Sequence, residues 1–228
     1  TTVARDTVTR AARAGLTKIA LVGGEPTARR DLPRLIAHAR DAGFARIVLT
    51  TNGLALASER ALDTLLRAGL TGVHLSLDHP DPKVLDTLMA RPGAGALALQ
   101  AGENLAARAQ IDLFVYAVLV RPTLDGLPDL AARCAAWADT RGAPLPLILC
   151  APKQQGRASE AGDALLAPLP RVAEAALAAL DAADALGVPT LLRNLPHALL
   201  PGREAHDLDL YVREARWDLT TGREVEGR

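Results

Sequence analysis

The sequence predicts an α/β protein built on a parallel β-sheet, and three observations carry this prediction. Short apolar segments, partly β-branched, recur along the chain, and segments with apolar residues at helical spacing lie between them. The strand–helix units repeat at roughly 25–40 residues, which is typical of parallel strands joined by helical crossovers. The strand candidates are apolar throughout rather than alternating, which favours a sheet that is buried on both faces.

Six apolar segments are candidate strands, and the sixth is the weakest of them. They cover residues 18–22, 45–50, 72–77, 111–120, 145–150 and 188–192. The pattern alone leaves two architectures open, because both an open doubly wound sheet and a barrel are built from repeated strand–helix units.

Helices are predicted between these strands. One apolar stripe contains Leu32, Leu35, Ile36 and Ala39 and ends before Gly43. A second helix carries Leu62, Leu65 and Leu66 and ends before Gly69, and longer helices are predicted over residues 125–141 and 165–186. Residues 1–195 are expected to form one domain, and residues 196–228 a polar and charged extension of uncertain order.

Composition and charge exclude several classes of partner. The 26 basic and 26 acidic residues cancel, and aromatic residues are only 3% of the chain, so nothing indicates binding to nucleic acid or to an anionic membrane. No apolar run approaches the roughly 20 residues of a membrane-spanning helix, and no charged-then-apolar stretch is typical of a secretory leader, so none is expected. The two cysteines, Cys134 and Cys150, lack metal-ligand spacing, so no metal ligands are predicted. A cytoplasmic protein is expected.

A glycine-rich motif follows the first candidate strand and consists of Gly23, Gly24, Glu25, Pro26 and Thr27. Two glycines permit backbone conformations with positive φ and let a ligand approach main-chain atoms closely. Main-chain carbonyls in this turn, with the Glu25 carboxylate nearby, are suited to a ligand ammonium group. The alternative is a tight strand-to-helix turn with a glutamate on the surface.

Two further motifs stand at the ends of the second and third candidate strands. Asn52 lies in the turn Thr50-Thr51-Asn52-Gly53, either as an ordinary turn residue or as a hydrogen-bonding group for a polar ligand. Ser76 and Asp78 alternate with Leu77, so both side chains can point to one side and bind a diol such as a ribose. The alternative for Asp78 is a cap on the next helix.

In this order and at these intervals, the three motifs closely resemble those of the radical S-adenosylmethionine (radical SAM) enzymes, over residues 7–158. The resemblance implies a partial (β/α)6 TIM-like barrel. It also implies that residues 23–27 hold the amino group of S-adenosylmethionine, that Ser76 and Asp78 contact its ribose, and that Asn52 lines the same cavity. Ala151 lies where family members contact the adenine through backbone, and Arg157 belongs to a Gly-Arg-Ala stretch found in many members.

The chain departs from the family in one respect. Family members carry three cysteines, spaced CxxxCxxC, that bind a [4Fe–4S] cluster, and reduction of this cluster cleaves S-adenosylmethionine to a 5′-deoxyadenosyl radical. This motif is absent from the sequence, and the first strand and the cluster loop are expected to be missing. A radical SAM enzyme is therefore expected only if the motif is supplied elsewhere, and the isolated stretch is expected to be inactive.

Two alternatives remain, and the substrate is unknown under each reading. The first is a non-catalytic radical-SAM-like binding or scaffold protein. The second is an unrelated (β/α) barrel enzyme such as an aldolase, for which Lys153 is the best-placed lysine. Because a missing first strand leaves a sheet edge unpaired, a protein partner that covers this edge is also expected.

Overall fold

The computed structural model describes residues 2–152, 165–208, 216–217 and 224–225. Six strands form one parallel sheet: β1 (Lys18–Leu21), β2 (Arg46–Thr51), β3 (Gly72–Ser76), β4 (Asp112–Val118), β5 (Leu147–Cys150) and β6 (Thr190–Arg193). A separate antiparallel pair consists of β7 (Arg216–Trp217) and β8 (Glu224–Val225).

The strand order of the main sheet decides between the two architectures. Its spatial order is β1-β2-β3-β4-β5-β6, so each strand pairs with its predecessor in the chain. A doubly wound sheet reverses direction at a switch point, whereas a barrel adds each strand on the same side. Among the described residues β1 and β6 do not pair with each other, so the barrel is open. The prediction of an α/β, partial TIM-like barrel is confirmed.

Seven helices lie among the described residues: α1 (Thr2–Arg13), α2 (Leu32–Asp41), α3 (Glu59–Ala68), α4 (Pro82–Met89), α5 (Ala94–Ala106), α6 (Leu127–Arg141) and α7 (Leu169–Ala185). Short 3-10 helices cover Pro26–Ala28, Leu54–Ala57, Arg121–Gly126, His197–Leu199 and Glu204–His206. No helix in the part of the chain that the structure describes is both long enough and apolar enough to span a membrane.

The core lies between the sheet and the helices that cover it. The stripe predicted on α2 is buried in full, and Leu62 of α3 is also buried. On β4 the side chains alternate, so that Leu113, Val115 and Ala117 are buried while Phe114 and Tyr116 are half-buried. Burial of these apolar faces stabilises the sheet, and the parallel direction of its strands places their carboxyl ends at one edge.

Candidate functional site

A cleft of about 370 Å³ opens at the carboxyl ends of β1, β2 and β3. Its lining comes from three strand ends and from the end of α4. The lining residues are Gly23, Gly24, Glu25, Thr50, Thr51, Asn52, Leu54, Ser76, Asp78, Leu88, Met89 and Arg91. Six residues predicted from the sequence as cofactor-binding therefore lie together: Gly23, Gly24, Glu25, Asn52, Ser76 and Asp78.

The carboxylate of Glu25 receives hydrogen bonds from two strand ends. Its Oε1 accepts from the Thr27 amide at 3.0 Å, from the Thr27 hydroxyl at 2.6 Å and from the Thr51 hydroxyl at 2.7 Å. Its Oε2 accepts from the Asn52 amide at 2.9 Å. The two bonds from Thr51 and Asn52 join the turn after β1 to the turn after β2, and the two from Thr27 lie within the first turn.

This network gives Glu25 a structural role, and its predicted contact with a ligand ammonium group stays a prediction. Oε1 already accepts three hydrogen bonds, so the remaining acceptor capacity is on Oε2, which accepts one. The residue also caps the 3-10 helix that begins at Pro26, and it links the two turns. Pro26 is buried and Thr27 is a donor to Glu25, so neither lines the cleft.

The turn that precedes Glu25 leaves main-chain acceptors open. Gly23 and Gly24 both have positive φ, at 93° and 51°, a conformation that side-chain-bearing residues rarely adopt. No described residue donates a hydrogen bond to either carbonyl. Because both glycines line the cleft, these carbonyls are available to a ligand donor.

The turn after β2 is held by its own side chains. The Asn52 Oδ1 accepts from the Leu54 amide at 3.1 Å, and the Thr51 hydroxyl accepts from the Gly53 amide at 3.1 Å. Gly53 has φ of 81°, and a Cβ there would lie 2.6 Å from the Leu75 Cδ1, so glycine is required. The turn therefore presents the Asn52 side-chain amide to the cleft in a fixed position.

The end of β3 carries the carboxylate that is open to a ligand. Asp78 Oδ1 accepts from the Val118 amide at 2.8 Å, and no described residue donates to Oδ2. Burial raises the pKa of Asp78 from 3.8 to about 6, and the bond from Val118 opposes this shift. The Ser76 hydroxyl also has no partner among the described residues. A carboxylate oxygen and a hydroxyl therefore face the cleft together.

The opposite wall of the cleft comes from the end of α4, which sequence reasoning missed. Leu88 and Met89 supply a half-buried apolar surface, and Arg91 supplies a cation. The dipeptide Pro92-Gly93 was the available signal for a helix stop, but it does not tell where the stop lies in space. That position depends on the packing of α4 against α5.

One further predicted residue lies away from the cleft. Ala151 follows β5 and is buried, and it does not line the cleft; its amide donates to the Arg193 carbonyl at 2.9 Å, and its carbonyl accepts from the Asn194 side chain at 3.4 Å. Arg157 lies outside the described residues, as does Lys153. A second groove, of about 460 Å³, is shallower and lies beside Pro80 and α6, away from the strand-end motifs.

The residues of this chain do not fit an iron–sulfur cluster. Such clusters are held by several cysteine thiolates, and the sequence has two cysteines. Cys134 is buried in α6, where desolvation raises the pKa of its thiol to about 12. Among the described residues, no group of three or more histidine, cysteine or acidic side chains is arranged to hold a metal ion.

Known proteins share both the sequence pattern and the fold. The family model described as "Radical SAM superfamily" matches residues 3–130. A PqqA peptide cyclase from Xanthomonas oryzae pv. oryzae is 34% identical over 138 residues, which cover 60% of this chain and 36% of that protein. A probable GTP 3′,8-cyclase from Methanococcus vannielii is 44% identical over 69 residues, or 30% of this chain and 23% of that protein.

A solved structure agrees with the fold. The FeFe-hydrogenase maturase HydG from Carboxydothermus hydrogenoformans superposes with a TM-score of 0.57 at 17% identity, over 89% of this chain and 49% of that chain. At this identity the likeness supports the fold alone. The chain thus spans about half of this structure, and 36% and 23% of the two curated relatives.

Proposed function

The chain belongs to the Radical SAM superfamily. From this premise we propose that its cleft binds S-adenosylmethionine, and that the chain is the cofactor-binding part of a radical SAM enzyme whose substrate is unknown. When bound in members of this family, S-adenosylmethionine is the source of a 5′-deoxyadenosyl radical. This is the chemistry that the cofactor would supply here.

The observation that carries the proposal is a pair of polar groups at the end of β3 that have no hydrogen-bond partner among the described residues. Asp78 Oδ2 and the Ser76 hydroxyl have no partner among the described residues and both residues line the cleft. A carboxylate oxygen and a hydroxyl suit the vicinal hydroxyls of a ribose. The open carbonyls of Gly23 and Gly24 suit an ammonium group, so the two ends of the cofactor would be held from two different strands.

The cluster requires a separate source of thiolates. Because this chain's two cysteines do not fit a [4Fe–4S] cluster, we propose that the thiolates come from outside these 228 residues. The same observation favours a second candidate function, a non-catalytic protein that keeps the S-adenosylmethionine cleft. The two candidates differ in whether the native protein forms 5′-deoxyadenosine.

The comparisons do not identify the substrate class. The names of the relatives point to a peptide in one case and to GTP in another, so similarity favours no single class. We propose a cytoplasmic protein.

The outer edge of β1 has no paired strand among the described residues, which supports a protein segment or partner that covers this edge.

The test uses the native full-length protein from its own organism. Calorimetric titration with S-adenosylmethionine is followed by anaerobic reconstitution with iron and sulfide, addition of a strong reductant and assay for 5′-deoxyadenosine. Binding with product formation supports the enzyme, and binding without product supports the scaffold protein. If the protein does not bind S-adenosylmethionine either before or after reconstitution, the assignment of the cleft is overturned.

A further inference from the structure

We propose that three side-chain rings inside the open barrel form a stacking surface for a planar aromatic group of the substrate. The rings belong to His74 of β3 and to Phe114 and Tyr116 of β4, and we name them the ring shelf. This inference rests on the proposed function, since it concerns the same cleft. It adds a substrate class that neither the strand-end motifs nor the comparisons assign.

The ring shelf continues the wall of the cleft into the barrel. On β3, His74 precedes Ser76 and Asp78 at alternate positions, so the three side chains share one face of the strand. In the register of the sheet, Phe114 lies beside His74. Tyr116 lies beside Ser76. Because two residues of a strand span about 7 Å, the ring shelf extends about that far below the polar groups at the end of β3.

The three rings pack against one another in a defined arrangement. The centroid of the His74 ring lies 4.9 Å from that of the Tyr116 ring, with an angle of 31° between the two planes. It lies 5.3 Å from the centroid of the Phe114 ring at an angle of 72°, which is an edge-to-face contact. Rings at these distances attract one another and restrict each other's rotation. The ring shelf is therefore preorganised, which lowers the entropic cost of binding a flat group.

The ring shelf differs from the aromatic residues of the core. Phe, Tyr and Trp make up only 3% of the chain. Phe44 and Trp137 are buried at 5% and 1% exposure, whereas Phe114 and Tyr116 are half-buried. The opposite face of β4 supplies the core, so the two rings keep exposed surface on the face that leads to the cleft. In a chain so poor in aromatic residues, ring surface exposed inside a barrel indicates contact with a ligand.

Val118 connects the ring shelf to the polar end of the cleft. It follows Tyr116 on the same face of β4 and is 39% exposed. Its amide donates to Asp78 Oδ1 at 2.8 Å, so Val118 lies between the ring shelf and the carboxylate. A molecule that stacks on the ring shelf would therefore lie next to a cofactor held by Asp78.

The position of the ring shelf favours the substrate over the cofactor as its occupant. In the proposed function, the carbonyls of Gly23 and Gly24 hold one end of S-adenosylmethionine, and Ser76 and Asp78 hold its ribose. All four residues stand at strand ends, so the cofactor would run along the rim of the sheet. The ring shelf lies deeper and extends to β4, which leaves it to a second molecule. A flat aromatic ring fits such a surface better than an aliphatic chain does.

The experiment uses the native full-length protein and two matched probes, benzamide and cyclohexanecarboxamide. Both are neutral amides of similar size, and only benzamide has a planar aromatic ring. Ligand-observed NMR measures their dissociation constants with and without saturating S-adenosylmethionine. The variants are Tyr116→Leu, Phe114→Leu and Tyr116→Phe. Phe44→Leu is the matched control, because it removes a buried ring in the connection between α2 and β2.

The wild-type protein should bind benzamide roughly twofold to tenfold more tightly than cyclohexanecarboxamide, because only the aromatic ring stacks. Tyr116→Leu and Phe114→Leu should each reduce this preference, and Tyr116→Phe should keep it, since the ring is retained. Phe44→Leu should leave the preference unchanged even where it lowers the stability. In the wild type, nuclear Overhauser effects from benzamide to the ring protons of Phe114 or Tyr116 test the position without any substitution.

A wild-type protein that binds both probes equally would overturn the inference. The same holds if Phe44→Leu reduces the preference as much as Tyr116→Leu does, or if S-adenosylmethionine displaces benzamide, since the cofactor itself would then occupy the rings. Failure of the proposed function gives a different result, in which the wild-type protein does not bind S-adenosylmethionine. In that event the measurements without the cofactor still decide whether the ring shelf binds a planar group.

Discussion

Two acidic residues follow β1 and β3 of this sheet, which are separated by β2, and their hydrogen-bonding environments differ. The Glu25 carboxylate accepts four hydrogen bonds from Thr27, Thr51 and Asn52. The Asp78 carboxylate accepts one, from Val118, and keeps an oxygen open to the cleft. We therefore expect different roles for the two side chains: Glu25 positions the backbone of the cleft, and Asp78 is available to the ligand.

The largest effect is expected from Glu25→Gln. Glutamine replaces one acceptor oxygen with an N–H₂ group, so at least one donor of the network loses its partner. We expect the free energy of unfolding to fall by roughly 2–4 kcal/mol. The affinity for S-adenosylmethionine should fall as well, because the two turns are no longer held together. Denaturant unfolding and calorimetry measure the two quantities.

Glu59→Gln is the matched control for Glu25. The side chain of Glu59 is 69% exposed and its ion pair with Arg108 is long, at 3.9 Å. Its loss should therefore change the free energy of unfolding by no more than about 0.5 kcal/mol. If Glu25→Gln were as well tolerated as this control, the positioning role of Glu25 would be wrong.

Asp78→Asn should separate ligand binding from stability. The amide oxygen can still accept from the Val118 amide, and the change removes a charge on a half-buried side chain that desolvation disfavours, so the free energy of unfolding should not decrease. The affinity for S-adenosylmethionine should fall roughly tenfold to a hundredfold, because a charged acceptor is lost. Asp139→Asn, at an exposed position outside the cleft, is the control and should leave both quantities unchanged.

The pH dependence of stability and of ligand affinity provides a further test of the role of Asp78. The pKa of Asp78 is raised from 3.8 to about 6, so the folded state holds this proton more tightly than the unfolded state. The contribution of Asp78 to stability is therefore greatest at low pH and is lost as the pH rises from about 4 to about 6. Ligand affinity should change in the opposite direction, since the ionised form is the better acceptor.

Below pH 6 the affinity for S-adenosylmethionine should decrease by up to about tenfold per pH unit. The measurement is a series of calorimetric titrations at controlled ionic strength between pH 5 and 8. Asp78→Asn should flatten this profile. A wild-type profile that is already flat between pH 5 and 7 would mean that Asp78 does not contact the ligand.

The smallest effect is expected from Thr51→Val. The buried hydroxyl of Thr51 donates to Glu25 and accepts from the Gly53 amide, and valine removes both bonds at nearly constant volume. We expect a loss of about 1–2 kcal/mol in the free energy of unfolding. Thr51→Ser keeps the hydroxyl and should retain most of the stability. Equal losses for both variants would place the effect in packing rather than in the hydroxyl.

The strands could be predicted from the sequence to within two residues at each end. The predicted segment 18–22 is β1 (Lys18–Leu21), and the predicted segment 72–77 is β3 (Gly72–Ser76). These segments are short, apolar and bounded by turn residues, so local pattern suffices. The pattern could not choose between a barrel and a doubly wound sheet, because strand order is a property of long-range pairing. The family resemblance supplied that choice.

The cleft could be predicted only in part. Gly23, Gly24 and Asp78 follow predicted strands, and parallel topology brings strand ends to one edge. The hydrogen-bond network of Glu25 depends on Thr51 and Asn52, which are more than 20 residues away, and no local pattern encodes these contacts. Arg91 was missed for the same reason, since its place at the cleft depends on how α4 packs. The assignment of Ala151 and Arg157 to the cofactor stays a prediction.

The most direct test is a crystal structure of the native full-length protein with bound S-adenosylmethionine. The cofactor should lie in the cleft, with its ribose hydroxyls on Asp78 and Ser76, and the Glu25 carboxylate should keep its bonds to Thr27, Thr51 and Asn52. A cofactor ammonium group bound by a rotated Glu25 carboxylate would contradict the division of roles between the two acidic residues. A cofactor bound outside the cleft would contradict the assignment of the cleft.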